Sequence, residues 1–259
     1  MDRRQLGRTG IDVPAVGMGT WRTFDTDDGR GSLVDAALSA GIDLFDSSPM
    51  YGRAETVLAS AIDGRRDRFL IATKIWTPDA AEGRAQADRA LRLFGHVDVY
   101  QVHNLVNVEA QLALVERLKS EGKVRAVGAT HYQESAFGDL ARLMSSGRLD
   151  MVQIPYNPLR RVAERELLPL AESLGLGVFV MSPLQGGILE RRVSANELEE
   201  LGVKTWPEAV LKWIASDSRV SSVLTATHRI DRVAENARGG SPPFFDSEQR
   251  DLVARIAAR

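Results

Sequence analysis

The chain has 259 residues, no cysteine, four histidines and a formal net charge of -2. The missing cysteines exclude disulfides, thiol nucleophiles and cysteine-ligated metals. The near-zero, interspersed charge argues against a nucleic-acid or membrane surface. With 44% hydrophobic and 26% charged residues the composition is that of a globular protein with a large core, and the length suits one α/β barrel spanning residues 1–259. No apolar run approaches the roughly 18 residues of a membrane span. Met1 leads through Arg3 and Arg4 into Leu6-Gly7-Arg8-Thr9-Gly10 without the apolar stretch of a signal peptide, so a cytoplasmic location is expected.

In chain order, Val13 to Thr20 is the first apolar run, and its glycines signal tight turning or close backbone approach. Helical spacing follows from Asp28 to Ala40, stopped by Gly41. Gly41 to Phe45 reads as a short buried strand ending on Asp46, with Tyr51 in the loop behind it and a helix from Ala54 to Ile62. The remaining strands are Phe69–Lys74, Val97–His103, Val124–Thr130, Asp150–Ile154, Leu176–Met181 and Val220–Thr225. The helices between them are Ala80–Phe94, Val108–Glu121, Glu134–Ser145, Ala163–Leu174, Pro207–Ser216 and Arg229–Ala237. Pro169 is expected to shift or kink its helix. Pro207 suits a helical first turn. The segment from Arg191 to Lys204 reads as a short connection, and Asp246–Ala258 as a closing helix on the outside. Eight short apolar strands alternating with helices predict a (β/α)8 barrel. No G-x-G-x-x-G follows the first strand, which weakens the open dinucleotide-binding alternative.

In such a barrel the strands' C-terminal ends share one mouth, where chemistry is placed. Three successive strands deliver Asp46 with Tyr51, then Lys74, then His103. Singly, each has an ordinary reading as a cap, a solvated cation or a packed ring. Together they form a proton-transfer site. A phenol with its usual pKa of about 10 is a poor acid near neutrality. Lys74 is expected to lower that pKa, Asp46 to hold Lys74 charged, and His103 to orient a substrate oxygen. No side chain donates hydride, so reduction at this site requires a redox cofactor. The four histidines, His96, His103, His131 and His228, show no H-x-H pair, and no metal is expected.

The chain resembles the aldo-keto reductases over nearly its whole length. The resemblance rests on Leu6-Gly7-Arg8-Thr9-Gly10, Gly17-Met18-Gly19-Thr20, Phe45-Asp46 through Tyr51-Gly52 and Ala54-Glu55, and Thr73-Lys74. It continues in Asp98 to His103, Val127-Gly128, Gln153-Ile154-Pro155-Tyr156-Asn157-Pro158-Leu159, Ser182-Pro183-Leu184 and Ala234-Glu235-Asn236. It implies a barrel that binds NADP(H) without a Rossmann domain and reduces small aldehydes or ketones, with Tyr51 as general acid beside Asp46, Lys74 and His103. It also implies that Thr130, His131 and Gln153 hold the nicotinamide carboxamide; Thr130-His131 stands where Ser-Asn is usual. Met181 stands where an aromatic commonly stacks on the nicotinamide. Ser182, Leu184 and Gly186 are expected along the pyrophosphate. Thr227, Arg232, Glu235 and Asn236 are expected at the adenosine end, with Arg232 on the 2′-phosphate and NADPH preferred over NADH.

For the substrate pocket, Trp21, Phe24, Met50, Trp76 and Tyr132 are the candidates for an apolar wall; each also has a packing explanation. The final helix runs to the last residue, Arg259, so an open pocket and broad selection are expected. The expected state is a monomer or weak homo-oligomer. A sensor or regulatory subunit on the same barrel is the alternative of a different class. A metal-dependent hydrolase and a Lys74 Schiff-base aldolase are weaker alternatives, the latter leaving the cofactor-like segments without a role.

Overall fold

In the computed structural model, which describes residues 1–259, eight parallel strands close into a barrel. These are β3 (Val16–Gly19), β4 (Leu44–Asp46), β5 (Leu70–Ile75), β6 (Val97–His103), β7 (Val124–Thr130), β8 (Met151–Pro155), β9 (Gly177–Met181) and β10 (Ser222–Thr225). They are hydrogen-bonded in sequence order, and β10 pairs with β3 to close the ring. The fold is the expected (β/α)8 barrel.

The first apolar run is two elements rather than one. Asp12–Pro14 (β2) pairs antiparallel with Arg3–Gln5 (β1), and only Val16–Gly19 enters the barrel. The chain turns between them because Leu6, Ile11 and Val13 bury completely or almost so under the barrel, joining its internal apolar layer.

Strand side chains alternate between faces, and the alternation places the site. The inner apolar layer contains Leu44, Ala72, Val99, Ala126, Met151, Phe179 and Leu224. Two residues further along the strands stand Asp46, Lys74, Gln101, Gly128, Gln153 and Met181. A second step along the two longest strands reaches His103 and Thr130. The intervening residues Phe45, Ile71, Tyr100, Val127, Val152 and Val178 face outward into the main core against the helices. One strand periodicity therefore builds the outer core, seals the barrel and sets polar groups at its C-terminal mouth.

The helices are α1 (Gly31–Ser39), α2 (Ala54–Ala61), α3 (Ala80–Phe94), α4 (Val108–Ser120), α5 (Phe137–Ser145), α6 (Leu167–Leu174), α7 (Ala195–Glu200), α8 (Trp206–Ala215), α9 (Ile230–Gly239) and α10 (Ser247–Ala257). Of the two expectations for Pro169 the shift is the one seen: α6 begins at Leu167 rather than Ala163 and runs unbroken through the proline. The helix starts late, after a separate 3-10 turn at Val162–Glu164, so Pro169 lies in the first turn, where an amide hydrogen has no helical partner. The connection from Arg191 to Lys204 contains α7, which the sequence reading passed over. Ser194 and Glu197 form a reciprocal capping box at its start. That Ser-x-x-Glu pattern is a helix signal; the helix is only six residues long, too short for a visible apolar stripe.

Candidate active site

Asp46 and Lys74 lie side by side in the barrel mouth, both almost fully buried. Lys74 Nζ donates to Asp46 Oδ2 at 2.6 Å and to the carbonyl of Ser47 at 2.8 Å. Gln101 Nε2 donates to the other carboxylate oxygen at 3.2 Å. Burial by itself depresses the lysine, but Asp46 and the Tyr51 phenol outweigh it, and the Lys74 pKa stands above its usual value. Burial pushes the Asp46 carboxyl up, against the pull of Lys74 and the two glutamine amides. With two bonds to the ammonium and one to the second carboxylate oxygen, the geometry supports the ionised pair.

Tyr51 is brought over this pair by its loop. Gly52 has φ +63°, and a Cβ there would come within 2.5 Å of the Asp25 carboxylate. Only glycine allows that approach, which lets Asp25 Oδ1 accept from the Arg53 amide at 3.0 Å. Behind the loop, Thr73 on the outer face of β5 donates to Glu55 of α2 at 2.6 Å. Lys74 Nζ lies 5.3 Å from the centre of the Tyr51 ring, and the His103 ring stands edge-on to it at 5.9 Å. The expected fall in the tyrosine's pKa is not the net result. Burial pushes the phenol above its ordinary value; Lys74 pulls it down by charge and hydrogen bonding, and Asp46 opposes that pull. The lysine contribution has the expected sign, but desolvation is larger.

His103 is 6% exposed, and its pKa is held down to about 3, chiefly by burial, then by the positive charge of Lys74 and by His131. It is therefore neutral over the physiological range. Its Nδ1 lies 3.0 Å from Ser48 Oγ, and Ser48 Oγ accepts from the Met50 amide at 3.2 Å. Ser48, Gln101 and Asn157 are polar residues of the mouth that the sequence reading gave no role. The Ser48–His103 and Gln101–Asp46 contacts each join residues 55 apart. Gln101 was detectable as a polar residue inside an apolar strand.

Beside His103 the strand register runs His103–Thr130–Gln153. Thr130 Oγ1 and Gln153 Oε1 are both buried without a hydrogen-bond partner. Buried polar atoms are rarely left unpaired. Two such atoms on adjacent strands fit a group that carries both a donor and an acceptor, as a carboxamide does. His131 is half-buried and turned onto Tyr132, the rings stacked at 5.4 Å, with its Nδ1 accepting from the Gln133 amide. Burial lowers its pKa too.

Met181 ends β9 half-buried, and Ser182 follows with a left-handed φ of +55°. The Asn157 amide donates to the carbonyls of Ser182, at 3.2 Å, and Gln185, at 3.4 Å, pinning the start of the loop that carries Leu184 and Gly186. Gly186 is exposed, with no atom nearer than 3.9 Å to where its Cβ would be. At the end of β10, Thr227 accepts from the Arg229 amide. Arg232 pairs with Glu235 at 2.5 Å, and the buried Asn236 donates to Thr225 Oγ1 at 3.1 Å. Trp21, Met50, Trp76 and Tyr132 are all exposed, on the loops after β3, β4, β5 and β7. Phe24 is not with them: it is fully buried, edge-on to Phe45 in the core.

The barrel mouth thus gathers a buried carboxylate–ammonium pair, a phenol and a neutral imidazole on one α/β barrel. The chain belongs to the aldo/keto reductase family, whose model matches residues 15–257. It is 26% identical over 304 residues to the NADH-specific methylglyoxal reductase of Escherichia coli, covering 91% of this chain and 92% of that one. Methylglyoxal reductase YeaE of the same organism is 28% identical over 245 residues, 88% of this chain and 85% of that protein. Among solved structures, an aldo-keto reductase from Klebsiella pneumoniae in complex with NADPH superimposes with a TM-score of 0.81 at 24% identity, covering 99% of this chain and 95% of that one.

Proposed function

We propose that the protein reduces small aldehydes or ketones to alcohols with NADPH, Tyr51 acting as the proton donor. The observation that carries this reading is the convergence of Tyr51, the Lys74–Asp46 pair and His103 on one mouth, beside the unpaired Thr130 and Gln153 oxygens. Thr130, Gln153 and His131 would hold the carboxamide, Met181 would lie against the ring, and Ser182, Leu184 and Gly186 would follow the pyrophosphate. Thr227, Arg232, Glu235 and Asn236 would take the adenosine end. When bound there, NADPH supplies the hydride.

The protein's own share is proton handling and orientation. His103, uncharged, hydrogen-bonds the carbonyl oxygen and holds it near the Tyr51 hydroxyl. Tyr51 keeps its proton until the oxygen gains charge, because burial disfavours the free phenolate. The adjacent Lys74 ammonium then stabilises the phenolate left behind, which is where its pull on Tyr51 acts. Asp46 and Gln101 keep that ammonium in place. The exposed apolar groups Trp21, Met50, Trp76 and Tyr132 form a rim suited to the carbon skeleton of the substrate. Both Escherichia coli relatives are methylglyoxal reductases by name, which makes small dicarbonyls a first substrate set.

Tyr51→Phe tests the reading. General acid catalysis is worth about 10²–10⁴-fold, so kcat for methylglyoxal or a simple aldehyde should fall by at least ~100-fold, with NADPH affinity retained. Undiminished turnover by this variant would remove Tyr51 from the proposed role. Failure of the unaltered protein to oxidise NADPH repeatedly across an aldehyde panel would favour the sensor alternative.

A further inference from the structure

We infer that Ser48 is a positioning residue that fixes the tautomer of His103, placing the imidazole hydrogen on Nε2, toward the barrel mouth. The inference follows from accounting for one hydroxyl hydrogen. Ser48 is fully enclosed. Its Oγ already accepts from the Met50 amide at 3.2 Å, so one lone pair is engaged. The other contact of Ser48 Oγ to a side chain of the mouth is His103 Nδ1 at 3.0 Å. A hydroxyl carries one donor and two acceptor positions, and a neutral imidazole carries one donor and one acceptor nitrogen. If Nδ1 bore the hydrogen, Ser48 would accept twice and its own hydrogen would be left unpaired inside the protein. If Nδ1 is bare, Ser48 donates to it and its one hydrogen is paired, leaving only a lone pair unused, which costs less than a stranded donor. An unmade buried hydrogen bond biases such a choice by roughly tenfold or more.

The other nitrogen matters because of what it faces. His103 Nε2 makes no hydrogen bond within the chain and is not among the enclosed unpaired polar atoms, so it opens to the mouth. With the hydrogen on Nε2, His103 offers a substrate oxygen a donor. With it on Nδ1, the same ring would offer a lone pair and repel that oxygen. Ser48 thus reaches the substrate through His103 without touching it. Its neighbour Ser47 works on other groups: Ser47 Oγ meets Thr20 Oγ1 at 2.9 Å, and the Ser47 carbonyl holds Lys74. The kinetic consequence rests on the carbonyl-reductase reading; the tautomer itself does not.

The test is a two-bond 1H–15N spectrum of the full-length protein labelled at histidine, with His103 assigned by comparison with His103→Gln. The two nitrogen shifts and their couplings report the tautomer directly. The unaltered protein should show the Nε2–H form for His103. In Ser48→Ala the Nδ1–H form should appear, with kcat for an aldehyde down about tenfold, the loss expected for one hydrogen bond, and the NADPH Kd unchanged. Ser48→Thr, which restores the hydroxyl, should restore both the spectrum and kcat. A predominantly Nδ1–H His103 in the unaltered protein overturns the inference whether or not any variant folds. A Ser48→Ala spectrum still wholly Nε2–H overturns it as well. Lack of carbonyl reduction by the unaltered protein would instead defeat the reductase reading, and the spectrum would still decide the tautomer.

Discussion

Replacing Lys74 by methionine tests whether the buried pair is one energetic unit. The lysine side chain is wholly inaccessible, and the Asp46 side chain is 4% exposed. At 2.6 Å and an effective dielectric of about 20, their attraction is roughly 6 kcal/mol. Removing two ions from water costs several kcal/mol each, so the intact pair is close to neutral against a well-packed apolar pair. Breaking it from one side is different: Asp46 keeps its desolvation cost and loses its counter-ion. Lys74→Met should therefore destabilise by about 3–5 kcal/mol at pH 7. Asp46→Asn should cost a similar amount by stranding the ammonium. The double variant should recover at least about 2 kcal/mol of their sum, the size of coupling found for contacting residues. Urea unfolding of the four proteins supplies the cycle. The single Lys74→Met variant carries an added signature. With its partner gone, burial raises the folded-state pKa of Asp46 above the unfolded value, so stability is greatest below the unfolded pKa and falls as pH rises through the folded one. Additive losses, or a loss under about 1 kcal/mol for either single change, would refute the unit; the second outcome is the size expected of exposed pairs.

His103 gives a pH dependence of its own. Its folded pKa is about 3 against an ordinary value of 6.5, so the unfolded chain binds the extra proton first, and stability falls with acid between those values. Relative to His103→Gln, the protein should lose about 1.4 kcal/mol per pH unit below 6.5 in denaturant titrations; parallel stability curves would contradict the buried, uncharged state. Gly128→Ala would place a Cβ 2.4 Å from Met151 Sδ and 2.9 Å from Gln101 Cγ. Urea unfolding should show a loss of about 1–3 kcal/mol, and kcat should fall as Gln101 is pushed from Asp46; a neutral change would mean that the inner layer yields easily. Arg232→Ala should raise the KM for NADPH about tenfold while leaving that for NADH unchanged, the scale of one charge-assisted contact. Equal effects on both would take Arg232 off the 2′-phosphate.

The polar ends of three strands were readable because their apolar stretches are short and each stops on a chemically distinct residue. Asp46, Lys74 and His103 could thus be aligned without coordinates. The contacts of Ser48 and Gln101 were not readable, since a serine in a loop or a glutamine in a strand gains its role from a partner 55 residues away. The direction of the Tyr51 shift was misread for a related reason: the charge of Lys74 is written in the sequence, but the depth of burial that overrides it is set by the packed loop. Phe24 shows the same limit, its ring going inward to Phe45 while its neighbour Trp21 stays out under the Arg22 guanidinium. The β1–β2 hairpin was hidden because residues 13–20 read as one apolar run, whereas its first part, Val13 and Pro14, belongs to β2 and only Val16–Gly19 enters the barrel.

The grip of Asn157 on the loop after β9 divides that loop into a stem and a tip. Residues 182–185 are tied at both ends to one amide, whereas Gly186 and Gly187, both exposed and with positive φ, make no contact with it. A longer segment borrowed from another barrel and spliced directly after Met181 would cut the two bonds that set the loop's departure angle. Spliced after Gly187, it would inherit an intact base. For redesign of this mouth, the useful boundary therefore lies six residues beyond the end of the strand.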